Sequence, residues 1–427
     1  MKTKTYIVFV ILFIIVYFSS LNFLFGKEIG QPFTVVKTDD VETFKALLNS
    51  LKESAVNNLF ALHFQSIIDV INAKGNLTPA DSAFISATLP VFSDTSVVGN
   101  GAKFSSYTNR SRFLIISWVS PIDGAVSFFR LKLPKNWDQG KSYPLYVDLH
   151  GLTSTAVNPI EFMTTGYRSD PSTTFAFEDG YQLSPWGRGN LWYLGISETD
   201  IWEGIGVIES MVNIDPSRKY LVGHSMGGYG TWMIASKSAD VWAAIGIEAG
   251  ALWYGNDNML SSEKINNLKE LPTYFVVGTS DGLYDINLQA YNLLKDAGDQ
   301  NIEFVTFDGG HVKLAPNVEN MYLWLKQFVN ENYTSVGKLD KIGDNSLLIF
   351  PNPVRTDTNI QIKLGKINHV RLNLYNINGK KVATVVDKYL GTGETTIPWS
   401  RGNLYSGIYT YSFEIGTSVM SGKLILY

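Results

Sequence analysis

The sequence predicts an α/β protein whose main domain is a mostly parallel, doubly wound sheet covered by helices. Short apolar runs alternate with helix-like stretches from about residue 112 to residue 336, which is the order expected of such a sheet. Most of these runs lack polar alternation, as strands do when both of their faces are buried. The chain has 427 residues, more than one hydrophobic core usually supports, so we expect at least one further domain.

The composition limits the classes of function. With 45% hydrophobic and 17% charged residues, the chain resembles an ordinary globular protein. A net charge of -4 gives no electrostatic reason to expect a nucleic acid partner. The absence of cysteine excludes disulfides, thiolate catalysis and thiolate metal sites. No motif requires a metal or another cofactor, and we expect none.

The N-terminal part divides into two predicted segments. Residues 1–26 combine an early basic pair with the apolar run "YIVFVILFIIVYF", which is typical of a secretory signal peptide. The alternative is an uncleaved anchor, because the charge-free stretch is long enough to span a bilayer. Residues 27–110 form a helical segment, in which three- and four-residue apolar spacing over 39–71 predicts an amphipathic helix.

The main α/β domain is expected to cover residues 111–336. It opens with β-rich runs at 112–120 and 125–134, and the buried strands are predicted at 145–149, 220–222, 243–247, 274–277 and 302–307. Helices are predicted at 199–212, directly after Ser225, at 283–298 and at 317–331.

Residues 337–427 are expected to form a separate β-sandwich. From residue 338 onward there are 11 Lys and Arg against 6 Asp and Glu, so this part is basic while the whole chain is acidic. Its short alternating runs are bounded by Gly, Asn and Pro, as sandwich strands are.

The stretch "KYLVGHSMGGYGTW" contains the pattern G-x-S-x-G around Ser225. A strand-like run precedes Ser225 and a helix-like run follows it, which is the setting of a serine nucleophile on a strained strand-to-helix turn. Glycines are needed there because larger side chains would collide. The alternative is a glycine-rich turn with an incidental serine.

A serine nucleophile needs a base, and the chain has five histidines. His63 in the helical segment and His369 in the C-terminal module are expected to be satisfied or solvated. His224 should point away from the Ser225 hydroxyl, and His150 stands where an oxyanion-hole loop is expected. His311 remains, after the last strand of the sheet in "DGGHV", and the order Ser, Asp, His suits this fold.

The acid that orients His311 is predicted to be Asp281, just past the strand at 274–277. Asp285 and Glu248 remain as rivals. Backbone N–H groups must also stabilise the oxyanion. Met226 is predicted to supply one, and Leu152 the other, with Gly151 as an alternative.

These motifs together resemble a known enzyme group. "YPLYVDLHG", "NIDPSRKYLVGHSMGGYGTW", "VVGTSDGLYD" and "DGGH" are similar to α/β-hydrolases of the polyhydroxybutyrate-depolymerase and feruloyl-esterase type, which are related to prolyl oligopeptidases. The resemblance implies an α/β-hydrolase fold in which Ser225 is the nucleophile, His311 the base and Asp281 the acid. Glu248 departs from the small or neutral residue expected at its position.

The C-terminal part resembles another group. "LLIFPNPVRTDTNIQIKL", "VRLNLYNINGKKV" and "LYSGIYTYSFEIG" resemble the sorting domain of type IX secretion substrates in Bacteroidetes. The resemblance implies export by the signal peptide and passage to the cell surface or the medium by the type IX machinery. The alternative is a sandwich that binds carbohydrate or acts as a spacer.

We therefore expect a secreted serine carboxylic ester hydrolase, acting on acyl groups such as feruloyl or acetyl esters of polysaccharides. Aromatic residues in loops near the predicted site could stack on a sugar or a phenolic acyl group, or could pack in the core; they are Trp186, Trp192, Tyr193, Trp202, Trp253 and Tyr254. One alternative is a peptidase of the prolyl-oligopeptidase type, although no propeller pattern precedes the catalytic domain. Another is a catalytically silent binding protein.

Overall fold

The structure is a computed structural model that describes residues 38–426, except 54, 56–57, 94–112, 169–178, 254–258, 331–339, 351, 353, 355 and 377–378. The predicted signal peptide at 1–26 and both predicted domain junctions, near 110 and 337, lie outside the described residues. Within the described residues, no helix is both long and apolar enough to cross a lipid bilayer.

Three helices form the described N-terminal segment: α1 (Thr38–Glu53), α2 (Asn58–Lys74) and α3 (Pro79–Ser93). The prediction of a helical segment is confirmed, but the expectation of one continuous helix over 39–71 is wrong. The first helix ends at Glu53 and the next begins at Asn58, and Ala55, the described residue between them, belongs to neither helix. Phe64 of α2 and Phe92 of α3 are buried in the same apolar core as Ile116 of the sheet.

The main sheet has eight strands in the order β1-β2-β4-β3-β5-β6-β7-β8. Five neighbouring pairs, from β4-β3 to β7-β8, are parallel, while β2 pairs antiparallel with both β1 and β4. The strands are β1 (Leu114–Val119), β2 (Val126–Lys132), β3 (Tyr143–Leu149), β4 (Tyr181–Pro185), β5 (Ile214–His224), β6 (Ala244–Glu248), β7 (Thr273–Gly278) and β8 (Ile302–Phe307). The predicted mainly parallel sheet is confirmed.

Helices cover both faces of this sheet. Leu221 of β5 belongs to the core shared with α5 and α6, while its neighbours Tyr220 and Val222 pack in a second core with α9. Because successive strand residues point to opposite faces, this division shows that the sheet is doubly wound. The helices that follow the N-terminal segment are α4 (Pro159–Arg168), α5 (Ile196–Met211), α6 (Met226–Lys237), α7 (Ser262–Leu268), α8 (Tyr284–Asp296) and α9 (Ala315–Leu325).

Two strands differ from the prediction. β4 was not predicted, because its sequence "YQLSP" contains two polar residues and a proline, yet all five residues are buried. Gln182 of β4 donates a hydrogen bond to Asp148 of β3, at 2.9 Å, which satisfies part of this buried polarity. β5 begins at Ile214, six residues before the predicted 220–222. This first part, "IDPSRK", is mostly polar and its first five residues are only partly buried, so it lacks the apolar run that marked the other strands.

The C-terminal part is an all-β sandwich, as predicted. One sheet has the order β14-β11-β10-β9 and the other β13-β12-β15-β16, and their inner faces enclose a core of their own that includes Ile362, Leu372 and Phe413. The strands are β9 (Asp340–Ile342), β10 (Asn345–Phe350), β11 (Asp357–Leu364), β12 (Asn368–Tyr375), β13 (Lys381–Leu390), β14 (Gly393–Ser400), β15 (Gly407–Ile415) and β16 (Ser418–Leu426).

Candidate active site

Ser225 lies on the sharp turn between β5 and α6. Its φ of 57° and ψ of -113° are unusual for a residue with a side chain. The main chain holds this conformation from both sides. The Ser225 N–H donates to the Glu248 carbonyl at 2.9 Å, and the Ser225 carbonyl accepts from the N–H groups of Tyr229 and Ala251 at 3.1 Å. The Ser225 side chain does not cap α6, so the hydroxyl is not committed to the helix.

At this turn the main chain packs directly against other main-chain atoms. A Cβ atom on Gly223 would lie 2.3 Å from the carbonyl carbon of Gly227. A Cβ atom on Gly227 would lie 2.0 Å from the Leu149 carbonyl oxygen. Both distances are far below contact, so these two positions require glycine.

Asp281 and His311 come together although 30 residues separate them. Asp281 follows the end of β7, and its Oδ2 lies 2.8 Å from Nδ1 of His311. Its Oδ1 accepts a hydrogen bond from the Leu283 N–H at 2.9 Å. Burial acts to raise the pKa of Asp281, but these hydrogen bonds, with His311 first, hold that pKa below its ordinary value. Asp281 is therefore a carboxylate at neutral pH.

This contact fixes the form of the imidazole. A carboxylate can only accept a hydrogen bond, so Nδ1 of His311 carries the proton and Nε2 is left as the basic nitrogen. The loop that carries His311 is also fixed before the histidine, because the Ser280 N–H donates to the Gly309 carbonyl at 2.8 Å.

The two rival acids, Glu248 and Asp285, have surroundings different from those of Asp281. Glu248 ends β6, and its Oε1 lies 3.2 Å from Nζ of Lys313, which also lies 3.6 Å from Oδ1 of Asp148. Asp285 lies in the first turn of α8. Sequence reasoning missed Lys313. A signal was present, because a glutamate at the end of an all-apolar strand needs a cationic partner when it is buried.

The other four histidines have different surroundings. His63 accepts a hydrogen bond from the Ile115 N–H at 2.7 Å, and burial lowers its pKa to about 3. His369 lies 3.0 Å from Asp387. The His224 ring packs against the His311 ring, with 4.8 Å between ring centroids, a contact that was not predicted. Because His224 immediately precedes Ser225, His311 lies beside the serine turn.

The loop after β3 also passes the serine turn. A Cβ atom on Gly151 would lie 3.3 Å from Cβ of Ser225, so this loop is in van der Waals range of the serine. His150 lies against the loop, with its ring nitrogens 2.8 Å from the Gly151 carbonyl and 3.0 Å from the Trp186 carbonyl. Leu152 follows, with half of its surface exposed.

The aromatic residues near this edge differ in exposure. Trp186 and Trp192 are partly buried and pack against the main core. Tyr193 and Trp202 are each 1% exposed and belong to the core, so they cannot contact a substrate in this arrangement. Trp253, after β6, is 51% exposed. Tyr254 lies outside the described residues.

Two family models match parts of the chain. Residues 205–331 match the model described as "Putative esterase", and residues 348–427 match the model described as "Secretion system C-terminal sorting domain". Two separate segments of the chain thus match two different family models, one described as an esterase and one as a secretion sorting domain. The second match marks it as a protein exported to the cell surface or the extracellular space.

Curated relatives match over shorter regions. Venom dipeptidyl peptidase 4 of Vespa velutina is 26% identical over 201 residues, which cover 43% of this chain and 25% of the relative. Cutinase est2 of Thermobifida alba is 32% identical over 128 residues, which cover 28% of this chain and 38% of the relative. The chain thus spans between a quarter and two fifths of the length of these relatives.

A solved structure described as a ferulic acid esterase is also similar. It is 18% identical, with a TM-score of 0.40, and the match covers 50% of this chain and 96% of that one. Among the residues that the structure describes, no group of three or more His, Cys, Asp or Glu side chains is placed to hold a metal ion.

Proposed function

We propose that the chain is a secreted serine carboxylic ester hydrolase with Ser225, His311 and Asp281 as its catalytic triad. The observation that carries the proposal is the 2.8 Å contact between His311 and the buried Asp281, on a loop beside the strained serine turn. The contact supplies an imidazole with one free basic nitrogen, and the esterase-family match covers all three residues.

In this mechanism the Ser225 hydroxyl attacks the ester carbonyl carbon while His311 Nε2 takes its proton. Asp281 stabilises the imidazolium that forms. The N–H groups of Met226 and Leu152 bind the oxyanion, with Gly151 as the alternative to Leu152. The intermediate collapses, the imidazolium protonates the departing alcohol, and an acyl-enzyme remains. Water then repeats the sequence and releases the acid.

The acyl group is proposed to have an apolar, aromatic part. Leu152 after β3, Trp253 after β6 and Val312 after β8 are each about half exposed. All three follow carboxyl ends of parallel strands, which meet at one edge of a sheet, where ligands of such folds bind. A feruloyl ester of a polysaccharide suits this surface better than an acetyl ester.

The test is a substrate panel with active-site labelling. We expect turnover of p-nitrophenyl acetate and feruloylated arabinoxylan, with slower release of acetate from acetylated xylan. A fluorophosphonate should label the wild type but not Ser225→Ala. Labelling of Ser225→Ala would remove Ser225 as the nucleophile, and an enzyme that neither labels nor turns over an ester would be a silent scaffold.

A peptidase is the second candidate, because the similarity to a venom dipeptidyl peptidase 4 spans 201 residues. The same triad would attack an amide, and the difference would lie in recognition of a free peptide N-terminus. Cleavage of a Gly-Pro-p-nitroanilide faster than any ester in the panel would favour this reading over the esterase.

The sorting domain is proposed to engage the type IX secretion machinery. Removing residues 338–427 should leave ester turnover in cell lysate while preventing export from a host that has this system. The control is the full chain with Ser225→Ala, which should be exported normally. Export of the truncated chain would contradict this partner.

A further inference from the structure

A partly buried ion-pair cluster, in which the Lys313 side chain is 27% exposed, connects the two halves of the proposed site. Lys313, two residues after His311, lies between Glu248 and Asp148, with Nζ 3.2 Å from the first carboxylate and 3.6 Å from the second. The Glu248 side chain is 4% exposed and the Asp148 side chain 16% exposed. Asp148 also accepts a hydrogen bond from Gln182.

The two neighbouring carboxyl groups favour the charged form of Lys313. Burial opposes a positive charge on Lys313, but Asp148 and Glu248 together raise its pKa above the ordinary value, so the ammonium remains charged. Burial raises the pKa of Glu248, and the attraction of Lys313 opposes that shift. Without Lys313, a charge on the Glu248 side chain, which is 4% exposed, would be costly.

Glu248 contacts both catalytic segments, through different atoms. Its carbonyl accepts the Ser225 N–H at 2.9 Å, and its carboxylate holds Lys313 on the loop that carries His311. The other end of that loop is fixed at Gly309 by the Ser280 N–H. His311 thus lies between a backbone hydrogen bond at Gly309 and an ion pair at Lys313. The ion pair is made with Glu248, the residue whose carbonyl also accepts the Ser225 N–H.

We propose that Lys313 is a positioning residue: with Glu248 and Asp148 it fixes the His311 loop relative to the Ser225 turn. The inference rests on the proposed function for its kinetic consequence. Hydrogen bonding and ion pairing of the loop are independent of that function and can be measured separately.

The test compares Lys313→Met, Glu248→Gln and the double variant Glu248→Gln/Lys313→Met with wild type. Lys326→Met is the control, because Lys326 pairs with Asp179 at 3.7 Å on the surface. Readouts are kcat and KM for p-nitrophenyl acetate, the melting temperature, and hydrogen–deuterium exchange of the peptide covering 308–314.

Lys313→Met should lower kcat about 10- to 100-fold, within the range that misplacement of a catalytic group produces. KM should change less than about threefold, because Lys313 does not contact substrate, and exchange in 308–314 should rise. Lys326→Met should match wild type in all readouts. The double variant should recover melting temperature, because it no longer strands the Glu248 charge, but should not recover kcat.

Recovery of kcat in the double variant would overturn the proposal, since the loss would then come from an unpaired buried carboxylate. Wild-type kcat and wild-type exchange in Lys313→Met would overturn it as well. If the wild type turned over no ester, the proposed function would fail, while exchange in 308–314 would still decide whether Lys313 anchors the loop.

Discussion

Replacing Asp281 by asparagine tests the proposed triad most directly. Oδ1 of Asp281 accepts the Leu283 N–H, and Oδ2 faces Nδ1 of His311. In Asp281→Asn the amide oxygen keeps the bond to Leu283, so the NH₂ group faces His311. Nδ1 must then accept, which leaves the proton on Nε2, where the mechanism needs a base. The variant should fold but hold the wrong tautomer.

The size of the loss follows from the geometry. An imidazolium and a carboxylate 2.8 Å apart attract each other by about 6 kcal/mol at an effective dielectric constant of about 20. Water lowers this value because the His311 side chain is 23% exposed. About 4 to 5 kcal/mol of lost transition-state stabilisation corresponds to a decrease in kcat of about 10³- to 10⁴-fold.

The assay is steady-state hydrolysis of p-nitrophenyl acetate at pH 8, with melting temperature as the check on folding. Asp285→Asn, on the first turn of α8, is the matched control and should remain within about twofold of wild type. If folded Asp281→Asn kept more than a tenth of the wild-type kcat, Asp281 would not be the triad acid.

Two further predictions concern stability. Gly227→Ala should lower the free energy of unfolding by about 3 kcal/mol or more in urea melts, because its Cβ would lie 2.0 Å from the Leu149 carbonyl oxygen. The control is Gly282→Ala, which should be near neutral because no atom lies within 4 Å of the added Cβ. Equal stability of the two variants would refute the steric reasoning. Burial raises the pKa of Asp299 to about 6, against the opposing hydrogen bond from the Asn301 N–H, so its ionisation destabilises the fold as pH rises from about 4 to above 6. Asp299→Asn should therefore be more stable than wild type by about 1 to 3 kcal/mol at pH 8 and nearly equal at pH 4, and a pH-independent difference between the melting curves would contradict this assignment.

The sheet could be predicted from the sequence because its central strands are apolar without interruption. The residues 243–247 and 274–277 match β6 and β7 to within one residue, since burial on both faces leaves a direct record in composition. β4 has no such apolar run. Its buried Gln182 is stabilised by a hydrogen bond to Asp148, a residue that comes close only in the folded chain.

The candidate site could be predicted to the extent that its residues follow strand ends. Ser225, Asp281 and His311 each stand just beyond a strand, and the order of strands in the sheet decides which of them meet. Glu248 also ends a strand, so sequence position could not separate it from Asp281 as the acid. In the structure Glu248 pairs with Lys313, which is 65 positions further along the chain, whereas Asp281 contacts His311. Neither contact follows from the position of the acid in the sequence.

The contact of main chain with main chain around Gly223 and Gly227 has a practical consequence for engineering. No rotamer change can absorb an added atom where carbonyl groups are the neighbours, so libraries that diversify residues 223–227 will consist largely of unfolded variants. Altered substrate preference should instead be sought in the half-exposed positions 152, 253 and 312, where new side chains would extend into solvent.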